Sequence, residues 1–215
     1  MSQRTLVHLV RHGEVYNPDR VLYGRLPGFG LSDLGRQMAD QLAAYFVAQG
    51  ADIAHLAASP LERAQQTAAP TAAAFGLDLH TEPRIIEAEN SFEGLQITGR
   101  DGALRDPRNW WRLRNPARPS WGEPYTDQVT RMLAAAGDAR HIAHGREAVL
   151  VSHQLPVWMA RSAAEGRRLM HDPRKRECTL ASVTTLVYLD TRIVDVRYAE
   201  PCAELLAGAN PTPGA

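Results

Sequence analysis

The sequence predicts an α/β fold: a three-layer sandwich with a mostly parallel central sheet, an antiparallel edge strand and helices on both faces. Two short apolar runs, TLVHLV at 5–10 and AVLVS at 148–152, are typical of parallel strands that are buried on both faces. Segments with helical spacing alternate with the predicted strands, as in a parallel sheet. Two β-rich runs at 180–189 and 193–198 then predict a hairpin, and with it the antiparallel edge.

The composition indicates one folded domain. The chain has 215 residues, of which 44% are apolar and 22% are charged, and its formal net charge is zero. We therefore expect a single domain at 1–205, with a cap-like insertion at about 95–125 and a loose C-terminal tail at 206–215. Zero net charge gives no argument for a nucleic acid partner. No apolar run approaches the roughly 20 residues that span a bilayer, so we expect no membrane partner.

The cysteine content favours a reducing compartment. Cys178 and Cys202 are the two cysteines of the chain, and two are a poor basis for a disulfide framework. The amino terminus also lacks the long apolar stretch of a signal peptide. We therefore expect a cytoplasmic protein with free thiols.

After the first strand, residues 17–31 are rich in glycine and proline and predict a loop that folds over a ligand. Its Tyr23-Gly24-Arg25 is expected to face that ligand. Ser32 then predicts the cap of a helix, whose apolar residues recur at helical spacing until Gly50.

The next unit combines a strand at 52–58 with a helix start. Ser59-Pro60-Leu61-Glu62 reads as a capping box with proline at the first helical position. Arg63 then falls in or just after the first helical turn, where free N–H groups favour an anion. Pro70 is expected to kink or divide this helix.

The segment 77–125 shows little periodicity. It contains a possible strand at 77–80 and a locally basic, aromatic stretch at 100–118, which we interpret as a substrate-facing cap or as ordinary packing. Thr126 is expected to cap a helix that closes at Gly145. The arginines and tryptophans of the basic stretch are Arg100, Arg105, Arg108, Arg112, Arg114, Arg118, Trp110 and Trp111.

Polar residues follow the ends of three predicted strands: Arg11-His12, the turn from Ser59 to Arg63, and His153. Ligands of open α/β sheets bind outside the carboxyl ends of the strands. Adjacent strand residues face opposite ways, and Gly13 would let the chain bend so that Arg11 and His12 reach one pocket.

This set of side chains suits phosphoryl transfer without a metal. Two arginines offer forked donors to phosphate oxygens, a neutral imidazole can attack phosphorus, and a second histidine can add positive charge. A nearby carboxyl group could protonate the leaving alkoxide. His141 and His144 have a spacing that a metal could use, but no carboxylate or cysteine accompanies them, so we expect no metal and no cofactor.

Three segments of the chain together resemble a known protein family. Segments 9–14, 59–67 and 151–153 resemble, in order, the signature segments of the histidine phosphatase superfamily, the phosphoglycerate mutase-like proteins. A stretch at 122–127 with Arg131 is also similar to one that opens a helix beside the site in that family. The resemblance implies a mixed α/β sheet flanked by helices and a phosphohistidine intermediate.

By matching position, the resemblance implies that His12 is the nucleophile. It implies a phosphate pocket of Arg11, Arg63 and His153, and an acidic proton donor after the second motif. Register favours Glu87 as that donor, with Glu89 as the alternative. Candidate substrate-binding residues are Asn17, Arg25 and Gln154; the glutamine stands where the family often has glycine.

The leading hypothesis is a metal-independent phosphomonoester hydrolase that forms a phosphohistidine on His12. One alternative is a phosphoglycerate mutase-like phosphotransferase, but the family's Glu-Arg-x-Tyr-Gly run is absent, which favours a phosphatase. Another is a non-catalytic protein that binds a phosphorylated ligand. We expect a small phosphorylated substrate of unspecified identity, and a homodimer stays an open option.

Overall fold

The computed structural model describes residues 3–97, 102–115 and 119–209. Its strands and helices alternate along the chain as far as the last two strands, with 3-10 turns between some of them. The strands are β1 (Arg4–Arg11), β2 (Ile53–Ala58), β3 (Leu79–Thr81), β4 (Glu147–Ser152), β5 (Val183–Leu189) and β6 (Arg192–Ala199). The helices are α1 (Asp33–Ala48), α2 (Glu62–Phe75), α3 (Tyr125–Ala143) and α4 (Gln154–Ala164).

The strands form one mixed sheet in the order β3-β2-β4-β1-β5-β6. The first four of these are mutually parallel, whereas β5 runs antiparallel to β1 and β6 runs antiparallel to β5. The predicted α/β class, the mostly parallel sheet and the C-terminal hairpin are therefore confirmed.

Alternate residues of the central strands bury opposite faces of the sheet. On β1, Val7 and Leu9 pack against α3 and α4, while Val10 packs against α1 and α2. On β4, Leu150 lies on the first face and Val151 on the second. This two-sided burial explains why both strands are continuous apolar runs.

The carboxyl ends of β1, β4 and β2 lie side by side. Arg11 pairs in register with Ser152, and Val151 pairs with Ala58. The residues that follow each strand, His12, His153 and Ser59, therefore emerge at the same edge of the sheet.

Several helix boundaries differ from the sequence prediction. Ser32 caps α1 as expected, because its Oγ accepts the N–H of Gly35. Ser59 does not cap α2, because the helix begins at Glu62, after Leu61. The hydroxyl of Ser59 instead contacts His153. Pro70 lies within α2 and does not divide it.

The predicted cap at Thr126 is also wrong, because α3 begins at Tyr125, directly after Pro124. Proline fits there because the first N–H groups of a helix have no helical partner.

Gly13 is constrained by the space available to it. Its φ is not positive; the constraint is instead a close approach between the loop after β1 and the start of α1. A β-carbon at Gly13 would lie 2.7 Å from the carbonyl oxygen of Gly35. Glycine is therefore needed at this position for space.

The predicted cap-like segment forms 3-10 turns at Ala103–Arg105 and Pro107–Leu113. A small apolar cluster including Leu22, Phe92 and Ala103 lies beneath them. Trp110 and Trp111 are each 59% exposed. Arg100 and Arg118 lie outside the described residues.

The described part of the predicted loose tail is packed. Residues 206–209 lie in or directly after a 3-10 turn at Ala203–Gly208, and Leu205, Leu206 and Ala209 pack beside Met38. None of the described helices is long and apolar enough to cross a membrane.

Candidate active site

His12 lies directly after β1 and is fully buried. Its Nδ1 lies 2.7 Å from the carbonyl oxygen of Gly13. Because a carbonyl oxygen only accepts, Nδ1 carries the hydrogen of the neutral ring and Nε2 keeps its lone pair. The Nε–H of Arg63 points at Nε2 from 3.3 Å, which agrees with this tautomer. Burial, then the charges of Arg63 and Arg11, hold the pKa of His12 well below 6.5, so the ring is neutral at pH 7.

Arg63 lies in the first turn of α2 and is 1% exposed. One terminal nitrogen donates to the carbonyl oxygen of Gly24 at 2.6 Å. Its Cζ lies 4.7 Å from the ring centroid of Tyr23, which in turn stacks on Phe29. Within the described chain, no carboxylate forms an ion pair with Arg63, so its charge is available to an anion.

His153 stands at the N-cap of α4 and is also fully buried. Its Nε2 lies 2.7 Å from the Oγ of Ser59, which explains where that hydroxyl is used. Its Nδ1 is buried and has no hydrogen-bond partner among the described residues. The rings of His153 and His12 have centroids 5.2 Å apart. Burial, followed by the charge of Arg63, holds the pKa of His153 well below its usual value.

Arg11 ends β1 and turns toward the same edge of the sheet. One terminal nitrogen donates to the carbonyl oxygen of Cys178 at 2.7 Å, and its buried Nε has no partner in the described chain. Its charge lowers the pKa of both His12 and His153, so it lies within electrostatic reach of the two rings. Two guanidinium groups and two neutral imidazoles therefore converge on one small volume.

Glu87 and Glu89 have opposite environments. Glu87 is 2% exposed; its Oε1 accepts the N–H of Ala88 at 2.8 Å, and its Oε2 is buried without a partner among the described residues. Burial raises the pKa of Glu87, although the Ala88 N–H and nearby arginines oppose this. The side chain of Glu89 is 69% exposed and pairs with Arg25. Of the two, Glu87 has the surroundings of a protonated acid.

Arg25 lies beside the site, but each nitrogen of its guanidinium already bonds to the protein. Its Nε donates to the main-chain oxygen of Glu87 at 2.7 Å, and its terminal nitrogens reach Glu89 at 2.9 Å and Glu123 at 3.3 Å. Glu123 also accepts two hydrogen bonds from Arg131. The structure therefore gives Arg25 contacts with the acidic segment where the sequence predicted contact with substrate.

The other two predicted substrate-binding residues also contact the protein itself. The Asn17 side chain accepts from the N–H of Val21 and donates to its carbonyl oxygen, which closes the turn between them. The amide of Gln154 donates to the carbonyl oxygen of Cys178 and accepts from Arg176, both at 3.3 Å. Gln154 is next to His153 in the chain and so remains at the edge of the site.

Arg176 was missed by the sequence reasoning. It follows Arg174 and Lys175 in a surface loop and carries no strand-end or helix-start signal, yet it is only partly exposed. Its charge opposes the rise in the pKa of Glu87, so it lies within electrostatic reach of that carboxyl group.

A small pocket opens beside these groups, with Gly24 and Glu87 in its wall. No group of three or more potential ligands (His, Cys, Asp or Glu) is placed to hold a metal ion in the described ranges. The pocket wall also includes Glu89, Asn90, Trp121, Glu123, Gln128 and Leu155. Excess positive charge, a neutral imidazole with a free lone pair and a buried acid can together bind and transfer an oxyanion group.

Comparisons with known proteins agree with this arrangement. A family model described as histidine phosphatase superfamily, branch 1, matches residues 7–200. The uncharacterized protein Rv0525 of Mycobacterium tuberculosis is 54% identical over 94% of this chain and 100% of its own length. A probable phosphoglycerate mutase GpmB of Enterobacter sp. is 31% identical over 82% of this chain and 83% of its own.

Among solved structures, a mycobacterial glucosyl-3-phosphoglycerate phosphatase superimposes with a TM-score of 0.69 at 24% identity. The match covers 93% of this chain and 97% of that one. At this identity the likeness supports the fold.

Proposed function

Because the chain belongs to branch 1 of the histidine phosphatase superfamily, we propose that it is a metal-independent phosphomonoester hydrolase that forms a phosphohistidine on His12. The observation that carries the proposal is the tautomer of His12. Its Nδ1–H is fixed on Gly13 at 2.7 Å, which leaves Nε2 unprotonated, with a lone pair that can attack phosphorus once the phosphoryl group displaces the contact from Arg63. The lowered pKa keeps that lone pair unprotonated at neutral pH.

In the first step, Nε2 of His12 forms a bond to phosphorus while the bond to the leaving oxygen breaks. The incoming phosphoryl oxygens would replace the 3.3 Å contact between Arg63 and Nε2, so that Arg63 binds the phosphoryl group. Arg11 and His153 complete the pocket, and a hydrogen on Nδ1 or Nε2 of His153 would donate to an oxygen. These donors are strongest where charge develops in the transition state.

Glu87 would supply the proton. Burial raises its pKa, so the acid form is available to protonate the leaving alkoxide. The resulting carboxylate then takes a proton from the water that attacks the phosphohistidine, which releases phosphate and restores both His12 and the acid. A buried acid with an unpartnered oxygen argues for a catalyst over a protein that only binds the phosphorylated ligand.

The test uses His12→Ala with His141→Ala as a matched control on the exposed surface of α3. Each protein is mixed with ³²P-labelled p-nitrophenyl phosphate and quenched within milliseconds. We expect wild type and the control to retain acid-labile label on the protein and to release p-nitrophenol. His12→Ala should do neither. Turnover or labelling in His12→Ala would refute the mechanism.

A phosphoglycerate mutase-like phosphotransferase is the second candidate, because relatives that are 31–32% identical carry that name. Both activities share the phosphohistidine and differ in its acceptor. Incubation with 3-phosphoglycerate distinguishes them: a hydrolase releases inorganic phosphate, whereas a mutase forms 2-phosphoglycerate with little release.

We also propose a cytoplasmic location. Cys178 and Cys202 are both buried free thiols, as expected in a reducing compartment.

A further inference from the structure

Arg176 is held in a fixed orientation by neutral acceptors. Its Nε donates to Nε2 of His171 at 2.8 Å, and a terminal nitrogen donates to Oε1 of Gln154 at 3.3 Å. The His171 ring is itself fixed, because its Nδ1 lies 2.7 Å from the carbonyl oxygen of Leu169 and therefore carries the hydrogen. The guanidinium is thus oriented without being neutralised.

The acids around this loop pair with other arginines. Glu177 pairs with Arg161, and Asp172 pairs with Arg174. In the described part of the chain, no carboxylate lies within ion-pair distance of Arg176. A partly buried cation without a counter-charge is costly, so a site of this kind favours an anionic ligand.

Hydrogen bonds connect Arg176 to the phosphate pocket. Gln154, its acceptor, directly follows His153. The amide of Gln154 and the guanidinium of Arg11 donate to the same carbonyl oxygen, that of Cys178. The Arg176 guanidinium is therefore linked through one side chain, that of Gln154, to the carbonyl oxygen that Arg11 also uses and to the residue next to His153.

Arg176 lies within electrostatic reach of the proposed acid. Glu87 is the largest charged influence on the pKa of Arg176, ahead of Arg11. Arg176 bonds to Gln154 beside His153 and is within reach of the acid, which faces the leaving oxygen in the proposed mechanism, so we assign it to the leaving-group side. Arg25 cannot serve there, because Glu89 and Glu123 already neutralise it.

We propose that Arg176 forms a subsite for an oxyanion, a carboxylate or a second phosphate, carried by the leaving group of the substrate. This inference rests on the proposed function, which defines the leaving-group side. The planar fork of arginine suits either oxyanion. The natural substrate would then be a phosphomonoester whose alcohol portion is itself anionic.

Binding calorimetry with non-hydrolysable phosphonates tests the subsite independently of turnover. The probes are 3-phosphonopropionate, its neutral amide 3-phosphonopropanamide, and propane-1,3-bisphosphonate. Wild type should bind one or both of the probes with an anionic tail at least about tenfold more tightly than the amide, since hydrogen bonds to charged groups are strong. The tighter of the two identifies carboxylate or phosphate as the preferred group.

The variants are Arg176→Gln and, as a matched control, Arg174→Gln, whose arginine is exposed and paired with Asp172. Arg176→Gln should lose the preference and Arg174→Gln should keep it. Inorganic phosphate reports on the pocket itself, and its affinity should be unchanged in both variants.

Equal affinity of wild type for the amide and the anionic probes would overturn the subsite, as would a preference that survives Arg176→Gln. Loss of inorganic phosphate binding in Arg176→Gln would place Arg176 in the phosphoryl pocket and would equally overturn it. Failure of the proposed function is seen separately, as absent turnover by wild type while the binding preference persists.

Discussion

The Nε of Arg25 donates a 2.7 Å hydrogen bond to the main-chain carbonyl oxygen of Glu87. The loop after β1 is thereby tied to the segment that carries the proposed acid. On the other side, Arg131 donates to the carbonyl oxygen of Arg84 at 2.6 Å, and Glu123 bridges the two arginines. The backbone around Glu87 is therefore held by hydrogen bonds from Arg25 at Glu87 and from Arg131 at Arg84. Arg25 thus acts as a positioning residue.

We expect Arg25→Gln to weaken proton donation more than phosphate binding. A good leaving group needs little help from an acid, whereas a poor one depends on it. The fall in kcat/KM should therefore be about tenfold larger for phenyl phosphate than for 2,4-dinitrophenyl phosphate, because a misplaced acid loses part of the 10²–10⁴-fold that such groups contribute.

Arg146→Gln is the matched control, because Arg146 forms an exposed ion pair with Asp52 beside the opposite end of β4. It should leave both rates unchanged. Equal losses for the two substrates in Arg25→Gln would mean that Arg25 has no special connection to the acid.

The pH dependence of kcat/KM follows from two shifted groups. His12 must be neutral, so activity falls as the pH drops through its pKa, which burial holds well below 6.5. Glu87 must be protonated, so activity falls as the pH rises through its pKa, which burial raises above 4.5. We expect Glu87→Gln to lower kcat/KM for phenyl phosphate by about 10²-fold or more and to remove the alkaline limb.

The same series should include Glu89→Gln. Because the Glu89 side chain is 69% exposed, this variant should retain both limbs of the profile. An alkaline limb that disappears in Glu89→Gln but persists in Glu87→Gln would reverse the assignment of the acid.

Glu87 also makes stability depend on pH. Its folded pKa is raised above the unfolded value, so the folded state binds more protons between the two values and loses stability as the pH rises through that window. Glu87→Gln removes the loss of stability that comes from ionising this buried carboxyl group. We expect a higher Tm for the variant than for wild type at pH 8, and no gain at pH 3.5, where the acid is protonated in both states. Thermal unfolding at both pH values checks this, and a gain of equal size at both would contradict it.

The sheet and the positions of His12, Arg63 and His153 could be predicted from the sequence for a local reason. Each follows a recognisable strand end or lies in the first turn of a helix, and parallel strands bring their carboxyl ends to one edge. The choice between Glu87 and Glu89 rested on register with the family's acid motif, because no strand end or helix start separates the two residues. In the fold, the choice depends on which side chain is buried by distant segments, and local spacing does not report that.

Ser59 and Arg25 show a second reason why local sequence patterns did not predict every contact. Both occur in patterns with a familiar local meaning, a capping box and a ligand-facing loop. In the fold, the hydroxyl of Ser59 lies 2.7 Å from His153, and the guanidinium of Arg25 is used by acidic residues far along the chain. Tertiary partners that lie 64 to 98 positions apart in sequence outweigh the local preference in each case.

Gly13 provides a test of how closely the loop after β1 must approach α1. A β-carbon there would lie 2.7 Å from the carbonyl oxygen of Gly35, and the backbone on both sides would have to move. We expect Gly13→Ala to lower the free energy of unfolding by about 1–3 kcal/mol. Because the Gly13 carbonyl oxygen fixes Nδ1 of His12, kcat should fall as well.

Gly137→Ala is the opposite case and the control. It lies within α3, and an added β-carbon there would meet nothing within 4 Å. Replacing a helical glycine by alanine should therefore raise the free energy of unfolding by about 0.5–1 kcal/mol, with kcat unchanged. Urea unfolding of both variants measures the two changes. If Gly13→Ala were as stable and as active as wild type, the close approach to Gly35 would not constrain the nucleophile, and the orientation of His12 would have to come from Thr67 and Arg63, which also bond to this loop and ring.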